Sequence, residues 1–174
     1  TCTAPKTCTR CGAIEGDPSS HSLGEDGKCA GCGKMVVCSV NIGGTVTAYT
    51  DFNEAVDAAC AAEAATLTLH QDVEEPSCWF VGGNVTLDLN GKTINGRPTV
   101  NECTLTVTDT AEIKGTVVNY AGAAFDYVSG KLIILDTTDC LGAGEGHEPW
   151  RINKDLGVAT LWLTSSISNK RFNA

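Results

Sequence analysis

The sequence predicts a mainly β protein: a short parallel β-helix, or solenoid, with one α-helix near its start, preceded by a small zinc-ribbon-like module. Three observations carry this expectation. Two Cys-x-x-Cys-Gly motifs stand near the N-terminus, one segment after them has helical periodicity, and a short aliphatic strand pattern then recurs five times. The domain boundaries that follow are residues 1–34 for the cysteine module and 35–174 for the β-helix, with its helix at about 51–63.

The paired motifs are Cys8-Thr9-Arg10-Cys11-Gly12 and Cys29-Ala30-Gly31-Cys32-Gly33, seventeen residues apart. Two such pairs within a window of about 15 to 20 residues are a zinc signature, because each tight turn offers two thiolates to one tetrahedral ion. A glycine after the second cysteine can take the positive φ that turns backbone N–H groups toward the sulfurs. The expected cofactor is therefore a structural zinc on Cys8, Cys11, Cys29 and Cys32. His21 lies between the pairs and is the alternative ligand, although a hydrogen-bond donor to a thiolate or a polar loop residue is its blander reading. Disulfides at the same cysteines are the competing reading, and four thiolates also suit iron. A redox Cys-x-x-Cys is disfavoured, since such motifs come singly beside a βαβ pattern. Four cysteines on zinc leave an even six, Cys2, Cys38, Cys60, Cys78, Cys103 and Cys140, for disulfides, whose pairing the spacing does not fix.

Size and charge narrow the classes. About 34 residues cannot bury a self-sufficient apolar core, so a metal or disulfides must stabilise the first module; the remaining 140 can form one. A net charge of −9 and a pI near 4.7 offer no footing for nucleic acid or anionic lipid. No apolar run approaches the roughly 20 residues of a membrane span. Ten cysteines and nineteen glycines in 174 residues suit an extracellular or cell-surface location. The start at Thr1, without a visible signal peptide, suggests a processed or excised segment.

Residues 35–40 and 45–49 read as two strands, joined through Asn41-Ile42-Gly43-Gly44. Asp51-Phe52-Asn53-Glu54 is a capping-box-like helix start, and Phe52, Ala55, Val56 and Ala59 follow at helical spacing, with Ala62 extending the stripe. The recurring strands are Leu67-Thr68-Leu69, Leu87-Asp88-Leu89, Leu105-Thr106-Val107, Ile133-Ile134-Leu135 and Leu161-Trp162-Leu163, each with two aliphatics on one side. Secondary strands are expected at Thr93-Ile94, residues 115–118 and Phe125-Asp126-Tyr127, and residues 141–154 read as a long loop-like insert. Repetition at this period marks a solenoid, in which no circuit buries its apolar face alone; an antiparallel sandwich is the other class that short strands allow. Thr68, Asp88, Thr106, Ile134 and Trp162, midway between the anchors, are expected to point outward.

The run Thr50-Asp51-Phe52-Asn53-Glu54-Ala55-Val56, then Ala65-Thr66-Leu67-Thr68-Leu69, then Asn84-Val85-Thr86-Leu87-Asp88-Leu89-Asn90-Gly91-Lys92-Thr93-Ile94, resembles pectate-lyase-like right-handed β-helix modules of large secreted proteins of gut Firmicutes. Thr104-Leu105-Thr106-Val107-Thr108-Asp109 continues the likeness. Cys8, Cys11, Gly12, His21, Gly27, Lys28, Cys29, Cys32 and Gly33 resemble short Cys-x-x-Cys-Gly modules of the same proteins. The likeness covers about residues 8–136 and leaves the tail from Cys140. It implies a right-handed β-helix whose first coil is capped by the α-helix, and a bacterial parent chain of several domains.

Enzymes on that fold cleave acidic polysaccharides with Ca²⁺-binding carboxylates and a basic proton acceptor. Here Asp72, Asp88, Asp109 and Asp136 fall at different offsets from their anchors, which suits solvent-exposed turn chemistry, and no hydrolase, metalloprotease or nucleotide motif is present. No catalytic residue is nominated. The expected function is a non-catalytic structural or adhesive module of a larger secreted or cell-surface protein. Carbohydrate binding through exposed Trp162, Trp150 and Trp79 is the alternative, and a fragment of a polysaccharide lyase is a second. The partners this implies are host or plant glycans, or a host surface protein, besides the remainder of the parent chain.

Overall fold

The structure, a computed structural model, describes Cys2 and residues 6–7, 14–15, 21–119, 125–135, 139–142, 151–152 and 161–163. Strands β1 (Lys6–Thr7) and β2 (Ile14–Glu15) form a small antiparallel pair. An antiparallel hairpin of β3 (Cys38–Ile42) and β4 (Thr45–Tyr49) turns through Gly43 and Gly44, both at positive φ, with the Gly44 N–H donating to Asn41 Oδ1 at 3.0 Å. Helix α1 (Phe52–Cys60) follows. Its cap is the one the sequence announces: Asp51 is extended and accepts from the Glu54 N–H at 3.0 Å. Phe52, Ala55, Val56 and Ala59 are its buried face. The helix is shorter than expected, because the chain is already extended by Ala64.

From there the chain alternates between two sheets. The first receives β5 (Ala64–Leu69), β7 (Asn84–Asp88), β9 (Cys103–Thr108), β12 (Gly130–Ile134) and β15 (Leu161–Leu163). The second receives β6 (Val73–Val81), β8 (Thr93–Asn101), β10 (Thr116–Asn119), β11 (Asp126–Tyr127), β13 (Asp139–Gly142) and β14 (Arg151–Ile152). Every pairing among these strands is parallel. The β3–β4 hairpin closes the edge of the first sheet, with β3 antiparallel to β5. The mainly β class is thus present, with α1 the only helix among the described residues.

Stacked aliphatics fill the space between the sheets. Ala65, Val85 and Leu105 share one row, and Leu67, Leu87, Val107 and Ile134 share another, all buried. Phe80, Ile94, Val117 and Phe125 face them from the second sheet's side of the chain. Backbones approach closely where side chains would intrude: a Cβ on Gly96 would overlap the Glu75 carbonyl of the neighbouring strand.

Two expectations need correction. The fourth aliphatic anchor is Leu132 and Ile134, both fully buried, rather than Ile133 and Leu135. A shift of one residue exchanges the faces of a strand, and pairing with Leu105 and Val107 decides which pair goes inward. Ile134 is therefore core and does not project outward. Asp88 and Asp109 are also buried, so they are not solvent-exposed turn residues. Asp88 Oδ1 accepts from the N–H groups of Asn90 and Thr110, each at 3.0 Å, and Oδ2 from the Thr110 hydroxyl at 2.7 Å. Asp109 Oδ1 accepts from Gly91 at 3.1 Å and Ala111 at 2.9 Å, and Oδ2 from Gly115 at 2.6 Å. These carboxylates bind successive corners to each other, which repays their removal from water. The expected loop-like insert at 141–154 contains part of β13 and all of β14.

Candidate metal centre

Four side chains converge beside the hairpin: Cys2, His21, Cys29 and Cys32 place one donor atom each within 4.8 Å of all the others. The local chain explains how. Leu23 bridges Cys29 and Lys28 bridges Met35, folding residues 21–36 back on themselves. His21 is fixed against β4 by its bridge to Ala48, where the Ala48 N–H donates to the His21 carbonyl at 3.3 Å. Cys29, Val36 and Ala48 form a small apolar cluster with Cys2 packed on it.

The turn Cys29-Ala30-Gly31-Cys32-Gly33 forms a knuckle. The Gly33 N–H donates to the Cys29 carbonyl at 2.8 Å, and Gly33 takes φ 72°, the conformation expected from its place after the second cysteine. Gly31 matters for a different reason. A Cβ there would lie 3.0 Å from Cys2 Sγ, so glycine leaves room for that sulfur. Cys2 and Cys29 sulfurs are 3.5 Å apart, as are Cys32 Sγ and His21 Nδ1. The corners of a zinc tetrahedron with bonds of about 2.3 Å lie roughly 3.8 Å apart, so the four donors need only small adjustment to share an ion.

The electrostatics favour a bound cation. The Ser22 N–H, then the His21 side chain, hold the Cys29 thiol down at about 5, with N–H groups of Gly31 and Cys32 acting in the same direction against burial. Cys2 is pushed up to about 11, chiefly by its hydrogen bond with Cys29 and then by burial. The backbone thus favours a thiolate at Cys29, while the hydrogen bond with Cys29 favours the protonated thiol at Cys2.

Cys29 and Cys32 were nominated as ligands from the sequence, and His21 as the alternative ligand. Cys2 was not: it belongs to no motif, and only the space at Gly31 reveals its place. Cys8 and Cys11 lie outside the described residues. Trp79 is 51% exposed on β6 of the second sheet, whereas Trp162 is on β15 of the first, so the two do not share a sheet. Trp150 lies outside the described residues. Cysteines with described side chains (Cys2, Cys29, Cys32, Cys38, Cys60, Cys78 and Cys103) are free thiols.

Two further polar features were not anticipated. His70 Nε2 and Ser39 Oγ are 2.9 Å apart, and burial, followed by the charge of Lys92, lowers the His70 pKa. On the outer face of the first sheet, Asn41, Thr66, Thr86 and Thr106 form one row and Asn84 and Thr104 lie in the next. They line an open groove of about 320 Å³ whose walls carry no charged side chain. Comparison with family models, curated proteins and solved structures gave no match.

Proposed function

We propose that this chain is a non-catalytic structural and adhesive module of a larger secreted or cell-surface bacterial protein. In this reading the parallel strands wind as a right-handed β-helix, capped by the β3–β4 hairpin and α1, and a structural zinc staples the N-terminal segment to that cap. The observation that carries it is the donor set: Cys2, His21, Cys29 and Cys32 bring four donor atoms within 4.8 Å of one another, the number a closed tetrahedral site needs. A closed site of this kind leaves no position for substrate and contributes folding energy instead. The commitment of Asp88 and Asp109 to backbone N–H groups supports the same conclusion for the solenoid.

Native mass spectrometry with and without chelator tests the zinc site. One zinc per chain is expected, lost in Cys2→Ser and His21→Ala but kept in Cys8→Ser and Cys11→Ser. The reverse pattern would return the site to the two Cys-x-x-Cys pairs, and absence of zinc from the untreated protein would overturn the staple.

The uncharged groove favours a second reading, binding of a neutral polysaccharide. Rows of hydroxyl and amide groups at the strand spacing of about 4.8 Å can exchange hydrogen bonds with sugar hydroxyls. Retention on polysaccharide gels, abolished by Thr86→Lys but not by Trp79→Ala, would assign binding to the groove. The opposite result would assign it to the exposed aromatic.

A further inference from the structure

Two sulfurs of the candidate metal centre are placed to react with each other as well as with an ion. Cys2 Sγ and Cys29 Sγ lie 3.5 Å apart, whereas Cys32 Sγ stands at that distance from His21 Nδ1. The four donors thus divide into a sulfur–sulfur pair and a sulfur–imidazole pair. Gly31 accounts for the first. A Cβ at that position would stand 3.0 Å from Cys2 Sγ and 3.8 Å from Cys29 Sγ, so both sulfurs lie against the same bare stretch of backbone. Cys29 is anchored on Val36 and Ala48, and Cys2 packs on that cluster. Cys29 is buried and Cys2 only partly so, which makes Cys2 the member of the pair that a small solute reaches. A disulfide holds its sulfurs at about 2.05 Å, so the pair has roughly 1.5 Å to close, a movement that side-chain torsions supply.

We propose that this cluster is a redox switch in which a Cys2–Cys29 disulfide is the oxidised alternative to the metal-bound state. The switch rests on the proposed zinc site, because the same two sulfurs serve both states and cannot serve them together. The oxidant is hydrogen peroxide. Cys2 Sγ attacks one peroxide oxygen and the O–O bond breaks; Cys2 becomes a sulfenic acid, and the departing oxygen leaves as water with the thiol proton. Cys29 Sγ then attacks Cys2 Sγ. The S–S bond forms, the S–O bond breaks, and hydroxide leaves as a second water, taking its proton from Cys29 or from solvent. Two thiols are oxidised and one peroxide is reduced to two waters. Cys32 and His21 remain as donors, half of the set that a closed tetrahedral site requires, and the ion is released. Oxidation thus exchanges a metal staple for a covalent one, which closes the chain from Cys2 to Cys29 into a loop.

The test uses the full chain loaded with zinc. It is treated with hydrogen peroxide beside a chromogenic zinc indicator, alkylated, digested without reduction and mapped by mass spectrometry. One zinc released for each Cys2–Cys29 bond formed is expected, with dithiothreitol and added zinc restoring the starting state. The metal-free chain should form the same bond. Joining of either Cys2 or Cys29 to any other cysteine, or retention of zinc after the Cys2–Cys29 bond has formed, would overturn the switch while leaving the zinc site standing. Absence of zinc from the untreated protein would remove both. The mapping needs no variant at either cysteine, so a folding defect cannot obscure the result.

Discussion

The segment 21–36 and the stacked strands from Ala64 onward solve the same problem by different means. The strands carry their own stability: each row of leucine, valine or isoleucine covers the next, and buried carboxylates join the corners. In the N-terminal segment the apolar cluster is limited to Cys29, Val36 and Ala48 with Cys2, and the rest of the cohesion comes from turns and four converging donors. A cross-linking ion can replace a hydrophobic core when the segment is short, but the order it creates is conditional on that ion. The stacked parallel strands depend on one another instead, so damage to one row spreads to its neighbours.

The largest expected effect separates the two regions. Removing metal with a chelator should abolish hydrogen-exchange protection across residues 21–36 while the amides of β7 and β9 stay protected. Cys29→Ser should weaken metal binding by more than the roughly 10- to 100-fold typical of losing a group that only hydrogen-bonds to a ligand. Simultaneous loss of protection in both regions would show that they are one cooperative unit. Next in size, Leu87→Ala removes a fully buried side chain from the middle of the first sheet and should cost about 2–5 kcal/mol in denaturant unfolding, without changing metal stoichiometry. Asp109→Ala leaves the buried-corner N–H groups of Gly91, Ala111 and Gly115 without this acceptor. It should cost about 1–3 kcal/mol, read from the same denaturation curves.

The smallest effect is one of pH. Burial and Lys92 depress the His70 pKa below 6.5, so the unfolded chain takes up a proton more readily than the folded one. The associated stability is present above pH 6.5 and is lost as pH falls from there toward the lower folded value. His70→Gln should flatten the decline in unfolding free energy on acidification through this window, by less than about 1 kcal/mol. An unchanged slope would place the acid sensitivity elsewhere.

How much of this was legible varied with the redundancy of the pattern. Leu67 and Leu69, or Leu105 and Val107, flank a threonine, so alternation leaves one way to orient them. Leu132-Ile133-Ile134-Leu135 offers two equally apolar faces, and only the pairing with Leu105 and Val107 selects between them. Asp88 misled for another reason. It ends β7 just before Asn90 turns the chain at φ 47°, so alternation stops there and its carboxylate is drawn into the corner. At the candidate metal centre, the Cys29–Cys32 turn was visible because its two cysteines are close in sequence. Cys2 was hidden because long-range convergence leaves no local spacing to read.

Strand β8 pairs along its start with β10, at Thr93–Asn95, and near its end with β11, at Thr99 and Val100. Two short strands therefore pair alongside one long strand. Meanwhile Ala64, Asn84, Thr104 and Lys131 remain side by side on the first sheet although the chain length between the last two is greater. The first sheet thus keeps its lattice across connections of different length. For an engineer, the connection between Thr104 and Lys131 is the one whose length the lattice of the first sheet already tolerates changing.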